Sequence, residues 1–284
     1  MRTPKLIIGL LVLVALTSLT TPSAAVPASD HRGTASASAS APVGAARGKV
    51  FDGWAFDTCL TPSLGTMSAW RKSKFRGVAV YFGGRGRFCR KQPNLTPNWL
   101  REVDRMGWSV LPVYVGSQSP CVLVPHKKKV RIGRDAWGQG RKEGRDALRR
   151  ARTLGMKRGS ALYLDIENYR MDKWQCRKPT LTFVRAWNRT VRAHGYVPGF
   201  YSSLGSGIWH MERARKAGYG DLPSALWYAR WNGKPRAYPI PGVSPNAWRG
   251  ASIHQYRGPK KEKYGGRTLE VDRNRVHAPV AVIR

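Results

Sequence analysis

Only sixteen of the 284 residues are acidic, so an acid inside an apolar run is informative. The segment Ala161-Leu162-Tyr163-Leu164-Asp165-Ile166-Glu167 ends in strict alternation of aliphatic and acidic side chains. Residues two apart on a strand share a face. Leu162, Leu164 and Ile166 are therefore expected to pack one way, and Tyr163, Asp165 and Glu167 the other. Two carboxyls held that close do not both ionise cheaply, so one keeps its proton to higher pH. An acid still protonated near neutrality can donate to a leaving glycosidic oxygen. Its ionised neighbour can stabilise positive charge on the sugar, or orient a water or an N-acetyl group. Glu167, with the longer reach, is assigned the acid role and Asp165 that of its electrostatic partner. A structural pair tied to arginines or a metal is the competing reading.

Two more acids sit where they can join this pair. Asp57 closes an apolar run after Trp54-Ala55-Phe56, and Asp272 closes another after Leu269-Glu270-Val271. If the first and last strands are neighbours, both acids converge on Asp165 and Glu167; each alone also reads as a cap on a following turn. Tyr81, Tyr114, Tyr201, Tyr228, Trp231, Gln255 and Tyr256 fall at the ends of other apolar runs. Flat rings with polar tips suit sugar faces and hydroxyls, although any one of them reads equally well as core.

The elements that must position these residues recur about every thirty residues. Strands are expected near 52–57, 77–82, 108–114, 160–167, 196–202, 224–230, 251–256 and 268–272. Helices are expected from Thr96-Pro97, with Thr96 as N-cap, and over 135–154, 180–194 and 206–217. Strands alternating with helices imply a parallel sheet with helices outside it. Closed on itself, that sheet is a single TIM-like (β/α) barrel of the α/β class, and an open doubly wound sheet is the alternative. Four prolines and no helical pattern lie between Asn232 and Arg249, so the late helices are expected to be reduced or replaced by loops. There is no Walker motif and no GxGxxG after a strand.

The first 25 residues, with Arg2 and Lys5 before an apolar run and Ser23-Ala24-Ala25 at its end, read as a signal peptide. Residues 26–47, rich in Ala, Ser and Pro, read as a disordered linker, leaving 48–284 as the barrel domain. Lys and Arg total 50, for a formal charge of +34. Such a charge attracts polyanions: nucleic acid, anionic lipid or anionic wall polymers. The Lys127-Lys128-Lys129 run and the basic stretch Arg141–Arg152 support nucleic acid only weakly, since solvated charged faces look the same. Four cysteines in an exported chain suggest disulfides, and Cys89 with Cys121 is the expected pair. None forms a CxxC, which disfavours zinc.

The order of Phe56-Asp57-Thr58-Cys59, Tyr81-Phe82-Gly83-Gly84, Asn94-Leu95-Thr96, Leu164-Asp165-Ile166-Glu167, Gly199-Phe200-Tyr201-Ser202-Ser203, Trp227-Tyr228-Ala229-Arg230-Trp231-Asn232, His254-Gln255-Tyr256 and Val271-Asp272-Arg273-Asn274 resembles the actinobacterial exported family of glycoside hydrolase-like domains. That family is itself similar to the lysozyme-type muramidases of glycoside hydrolase family 25. The resemblance spans nearly all of residues 50–275. It implies an acidic cleft of Asp57, Asp165, Glu167 and Asp272, with Glu167 as proton donor and Tyr201, Trp231 and Gln255 lining the sugar site; Tyr81 is added from its place at a strand end. Arg230 and Arg273, placed next to these motifs, would lower the acids' proton affinities.

The resulting expectation is a secreted hydrolase of cell-wall glycan, peptidoglycan in particular, working by carboxylic acid catalysis. It is expected to need no organic cofactor and no metal, to have no transmembrane span in the mature chain, and to be a monomer. Its partners would be wall glycan and anionic wall polymers rather than nucleic acid. The alternative is a non-catalytic glycan- or polyanion-binding protein that keeps the cleft.

Overall fold

All eight apolar stretches become strands, and the sheet they form closes on itself. The computed structural model describes residues 48–283, so the 1–25 signal segment and the 26–47 linker lie outside the described residues. In chain order the elements are β1 (Val50–Asp57), α1 (Leu64–Trp70), β2 (Phe75–Gly83), α2 (Pro97–Arg105), β3 (Ser109–Val115), α3 (Ala136–Thr153), β4 (Ala161–Asp165), α4 (Trp174–Ala193), β5 (Val197–Ser203), α5 (Trp209–Lys216), β6 (Ala225–Ala229), β7 (Ser252–Tyr264) and β8 (Arg267–Pro279). Neighbours in sequence are neighbours in the barrel, and β8 pairs back onto β1. This is the TIM-like barrel expected, and no helix intervenes between β6 and β8.

The parallel expectation fails at one strand. β8 runs antiparallel to both β7 and β1, because only Gly265 and Gly266 separate it from β7, and a parallel return needs a crossover of a dozen or more residues. Both glycines have positive φ, 56° and 78°, as a tight hairpin turn requires. The tip of this hairpin rests on α1, where Trp70 Nε1 donates to Arg267 O at 3.0 Å and Trp70 meets Tyr264 edge-on at 5.1 Å. The hairpin thus covers a flank that a late helix would otherwise cover.

Local chemistry explains the helix starts. Thr96 Oγ1 accepts from Trp99 N at 3.1 Å and Asp135 Oδ1 from Gly138 N at 2.7 Å, as N-caps do. α1 was not expected, and Ser63 caps it by accepting from Thr66 N at 3.2 Å. α4 begins at Trp174 rather than Thr180, and Pro179 lies inside it, in the second turn, where its missing N–H forfeits one intrahelical hydrogen bond.

Side chains fill the barrel in two shells. Outside the sheet, Leu162, Leu164 and Ile166 join the aromatic and aliphatic core beneath the helices. Inside it, Ala55, Ala79, Leu111, Tyr163, Trp227 and Ile253 pack together. Tyr163 and Tyr201 each meet Trp227 edge-on at 5.6 Å. Gly199 makes room for this stack, since a Cβ there would lie 2.3 Å from the Tyr163 ring.

The disulfides are Cys59–Cys89 and Cys121–Cys176, not the expected Cys89–Cys121. Cys59 follows β1 and Cys89 follows β2, and these strands are adjacent. Cys121, after β3, lies instead against the segment after β4, where Leu123 N donates to Asn168 O at 2.8 Å; that segment leads into the α4 start carrying Cys176.

Candidate active site

At the carboxyl ends of the parallel strands, a cavity of about 330 Å³ is lined by Asp57, Tyr81, Asp165, Glu167 and Asp272, together with Arg87, Phe88, His126, Lys127 and Glu270. Barrel enzymes place their chemistry at this end. Asp57 and Asp165 are the last residues of β1 and β4. Asp272 reaches the same end because β8 runs backwards, which sets it opposite Asp57 in register. Glu167 lies two residues beyond its strand rather than within it.

Gln118 holds the Asp165–Glu167 backbone. Its Nε2 donates to Asp165 O at 2.9 Å, and its Oε1 accepts from Glu167 N at 2.8 Å. The Asp165 carboxyl, 5% exposed, points into the barrel, and its Oδ1 has no partner. Glu167 reaches outward with 28% of its side chain exposed, and Lys127 Nζ stands 3.8 Å from its Oε1. Lys127 is 6% exposed and donates to Gly86 O at 2.9 Å. It is therefore a buried cation of the site, while the next two lysines of its run are exposed.

Asp57 is the anchored acid. Tyr81 OH donates to its Oδ1 at 2.8 Å, and Asn274 Nδ2 and Gln255 Nε2 donate to its Oδ2 at 2.8 Å and 3.2 Å. Trp227 Nε1 donates to Asn274 Oδ1 at 2.9 Å, and this contact turns the amide nitrogen toward Asp57. Asp272 shares a further hydrogen bond with Asp57.

The electrostatics follow from burial. Burial pushes Asp165 up to about 8, the charges of Glu167 and Asp57 add to the rise, and Lys127 opposes it. Asp272 is pushed up to about 9, by burial first and by Asp57 next. Burial raises Asp57 too, against the three donors that favour its ionised form. Those donors place the pair's negative charge on Asp57 and its proton on Asp272. Tyr81 and Tyr201, raised well above the ordinary phenol range by burial, remain O–H donors.

The other sequence candidates divide. Tyr201 OH and Trp231 Nε1 both donate to Gln255 Oε1, at 3.0 Å and 3.1 Å. These three stand behind Asp57 as its support and do not line the cavity, although Trp231 keeps 63% of its surface exposed. Tyr114 and Tyr228 belong to the outer core, with hydroxyls on Asp146 and Arg236 O; Tyr256 is buried. The arginines expected to act on the acids are engaged elsewhere. Arg273 Nε pairs with Glu262, and Arg230 lines a separate groove with Lys234 and Arg236. The cation that bears on Asp165 is Lys127.

Gln118, Asn274, Lys127 and Arg87 escaped the sequence reading. Asn274 stands between Arg273 and Arg275, so nothing local marked it as a partner of Asp57. For Lys127 and Arg87, nothing local separates them from the other basic residues.

The model of the Rv2525c-like, glycoside hydrolase-like domain family matches residues 68–276. No match to a curated protein is found. Among solved structures, the Tat-secreted protein Rv2525c of Mycobacterium tuberculosis, in complex with L-tartrate, superposes with a TM-score of 0.55 at 16% identity, over 81% of this chain and 97% of that one. An uncharacterised B. stearothermophilus protein gives a TM-score of 0.51 at 20% identity, over 78% and 95%. Both share the fold. With the family model matching most of the barrel, this chain belongs to the Rv2525c-like family of glycoside hydrolase-like domains.

Proposed function

We propose that this protein is an exported hydrolase of cell-wall glycan, with peptidoglycan as its substrate. The observation that carries the reading is one cavity in which an outward-reaching Glu167 meets a protonated Asp165 and a singly charged Asp57–Asp272 pair. Family membership and two disulfides, which persist in oxidising compartments, support it.

In this mechanism Glu167 protonates the bridging oxygen and the C1–O bond breaks. Positive charge grows on the sugar, and the anion centred on Asp57 stabilises it. A water adds to C1, and its proton returns to Glu167. The sequence expectation of an ionised Asp165 is reversed here: burial keeps the proton of the Asp165–Glu167 pair on Asp165 at rest, and Glu167, the exposed member, passes it to the substrate. Gln118 fixes the spacing of the two. Release of reducing ends from purified peptidoglycan tests the reading. Glu167→Gln is expected to lower the rate by at least about a hundredfold, the scale of a lost general acid, with the melting temperature kept. Product formation unaffected by that substitution rejects the assignment.

One feature favours a binding-only reading. Tyr201 and Trp231 donate to Gln255 Oε1, and Gln255 Nε2 donates to Asp57, rather than toward a ligand. Tight retention on peptidoglycan with no product from any glycan would decide for it.

A further inference from the structure

The segment between β6 and β7, where a late barrel helix would stand, forms a second groove of about 680 Å³, with Arg230, Lys234 and Arg236 around Tyr228 and His254. It shares no lining residue with the acidic cavity, and no carboxylate lines it. The three basic residues are exposed, and their side chains have no carboxylate partner among the described residues. Burial raises the Tyr228 hydroxyl above the ordinary phenol range, and the charges of Arg230 and Arg236 oppose that rise. Burial lowers the proton affinity of His254, and the charge of Arg230 adds to the fall. Both guanidinium groups therefore bear on the floor of the groove.

The groove is fixed from beneath. Tyr228 and His254, both buried, stack with ring centroids 4.3 Å apart. Tyr228 OH donates to Arg236 O at 2.5 Å, while His254 Nε2 lies 2.8 Å from Arg230 O and its Nδ1 3.1 Å from Arg236 O. One buried ring thus spans the backbones of both arginines, and Gly233 N donates to Tyr256 O at 3.0 Å between them. Asn232 Oδ1 is taken by Lys234 N at 3.0 Å. What the wall keeps for an occupant is therefore donors: two guanidinium groups, an ammonium and the Asn232 amide nitrogen. Such a wall suits a charged group that only accepts, and phosphate oxygens are of that kind. A nucleic-acid strand would also need open ring faces on which to stack its bases. Here the two rings of the groove stack on each other and are buried, and Trp231 lies outside the lining.

We propose that this groove binds a phosphodiester polymer free of bases, with Arg230, Lys234 and Arg236 taking its phosphate oxygens. The overall positive field brings polyanions near from any direction, and the groove supplies one place where fixed donors hold them. Arg230 directly follows the carboxyl end of β6, so the polymer is held at the end of the barrel that carries the acidic cavity. The inference does not depend on hydrolysis in that cavity.

Calorimetric titration with hexamers of glycerol phosphate, thymidylate and glutamate, at about 0.1 M NaCl so that the diffuse field is largely screened, tests the proposal. The glycerol phosphate hexamer is expected to bind most tightly. Arg230→Gln, Lys234→Gln and Arg236→Gln combined are expected to weaken it at least about tenfold, the worth of one charge-assisted hydrogen bond. The slope of log K against log salt should shrink by about two, since each phosphate neutralised on a single strand contributes about 0.7. A control removes the same charge from exposed positions of α3, by Arg141→Gln, Lys142→Gln and Arg145→Gln, and is expected to keep most of the affinity. Arg230→Gln and Arg236→Gln, made singly, repeat the comparison if the triple variant melts lower. The proposal fails if the hexamer does not bind, if both triple variants lose affinity equally, or if the glutamate hexamer binds as tightly. A preference for thymidylate that depends on the groove overturns the base-free polymer in favour of single-stranded nucleic acid. Glu167→Gln is expected to bind the glycerol phosphate hexamer as the native chain does, so failure of hydrolysis and failure of polymer binding are separate results.

Discussion

Asp165 shows at the scale of one residue how the site strains against the fold. Its carboxyl titrates near 8 in the folded chain but near the ordinary aspartate value when unfolded. Below about pH 4 both states hold the proton, and no stability is lost. As pH rises toward 8 the unfolded chain releases the proton and the folded chain does not, so stability falls across that window. Asp165→Asn removes the ionisation and keeps the shape. A kcal/mol is worth about 2–4 °C in a chain of this size. The variant is therefore expected to melt a few degrees higher than the native protein at pH 8, to match it at pH 4, and to lose activity. Equal gains at both pH values would show that relief of packing, rather than of charge, was responsible. Asp272, pushed to about 9, acts in the same direction, so the native protein should melt highest in mild acid.

Among the elements, what could be read from the sequence depended on whether the signal was local. Each strand was visible because its apolar run needs no partner to be recognised, and Thr96 and Asp135 announced their helices by capping chemistry. The direction of β8 was not visible. Its charged approach, Arg257 to Lys263, reads as loop, although Gly265-Gly266 is a hairpin signal. Asp57, Asp165, Glu167 and Asp272 stood out because acids are rare here. Asn274 lies 217 residues from the Asp57 it holds, and only barrel closure joins them. The disulfide pairing was missed for the same reason, since it depends on which loops abut. Cys59–Cys89 closes a loop with a sequence separation of 30 and fastens the rim that carries Phe88. Its loss costs about 3.5 kcal/mol by loop-closure entropy. Replacing both cysteines by serine is expected to lower the melting temperature by roughly 7–14 °C and to weaken saccharide binding, with the far-ultraviolet spectrum kept. A variant that melts lower but binds sugar as before would mean the cavity rim is held by its hydrogen bonds alone.

The whole molecule carries 50 basic residues against 16 acidic ones, and many of the acids are already committed. Five line the cavity, while Glu143, Glu212 and Glu262 are buried beside arginines. Exposed pairs such as Arg170–Asp172 are screened by solvent and contribute little, and most surface cations face other cations. Net repulsion of this kind destabilises the compact state and is screened by salt. At about 0.5 M NaCl the screening length falls to about 4 Å, short of most cation–cation spacings but comparable with the contact distance within an ion pair. Raising NaCl from about 0.02 M to about 0.5 M is therefore expected to increase the melting temperature by a few degrees. The same field extends outward and draws in anionic polymers at low salt. Retention on an anionic wall polymer should fall steeply over the same interval, whereas an uncharged sugar should be bound almost equally at both salts. Opposite responses of stability and polymer retention in one titration would locate the excess charge on the surface, outside the acidic cavity. A melting temperature that fell with salt would instead mean that the exposed ion pairs outweigh the repulsion, and the attraction to polyanions would then need a confined patch rather than the overall charge.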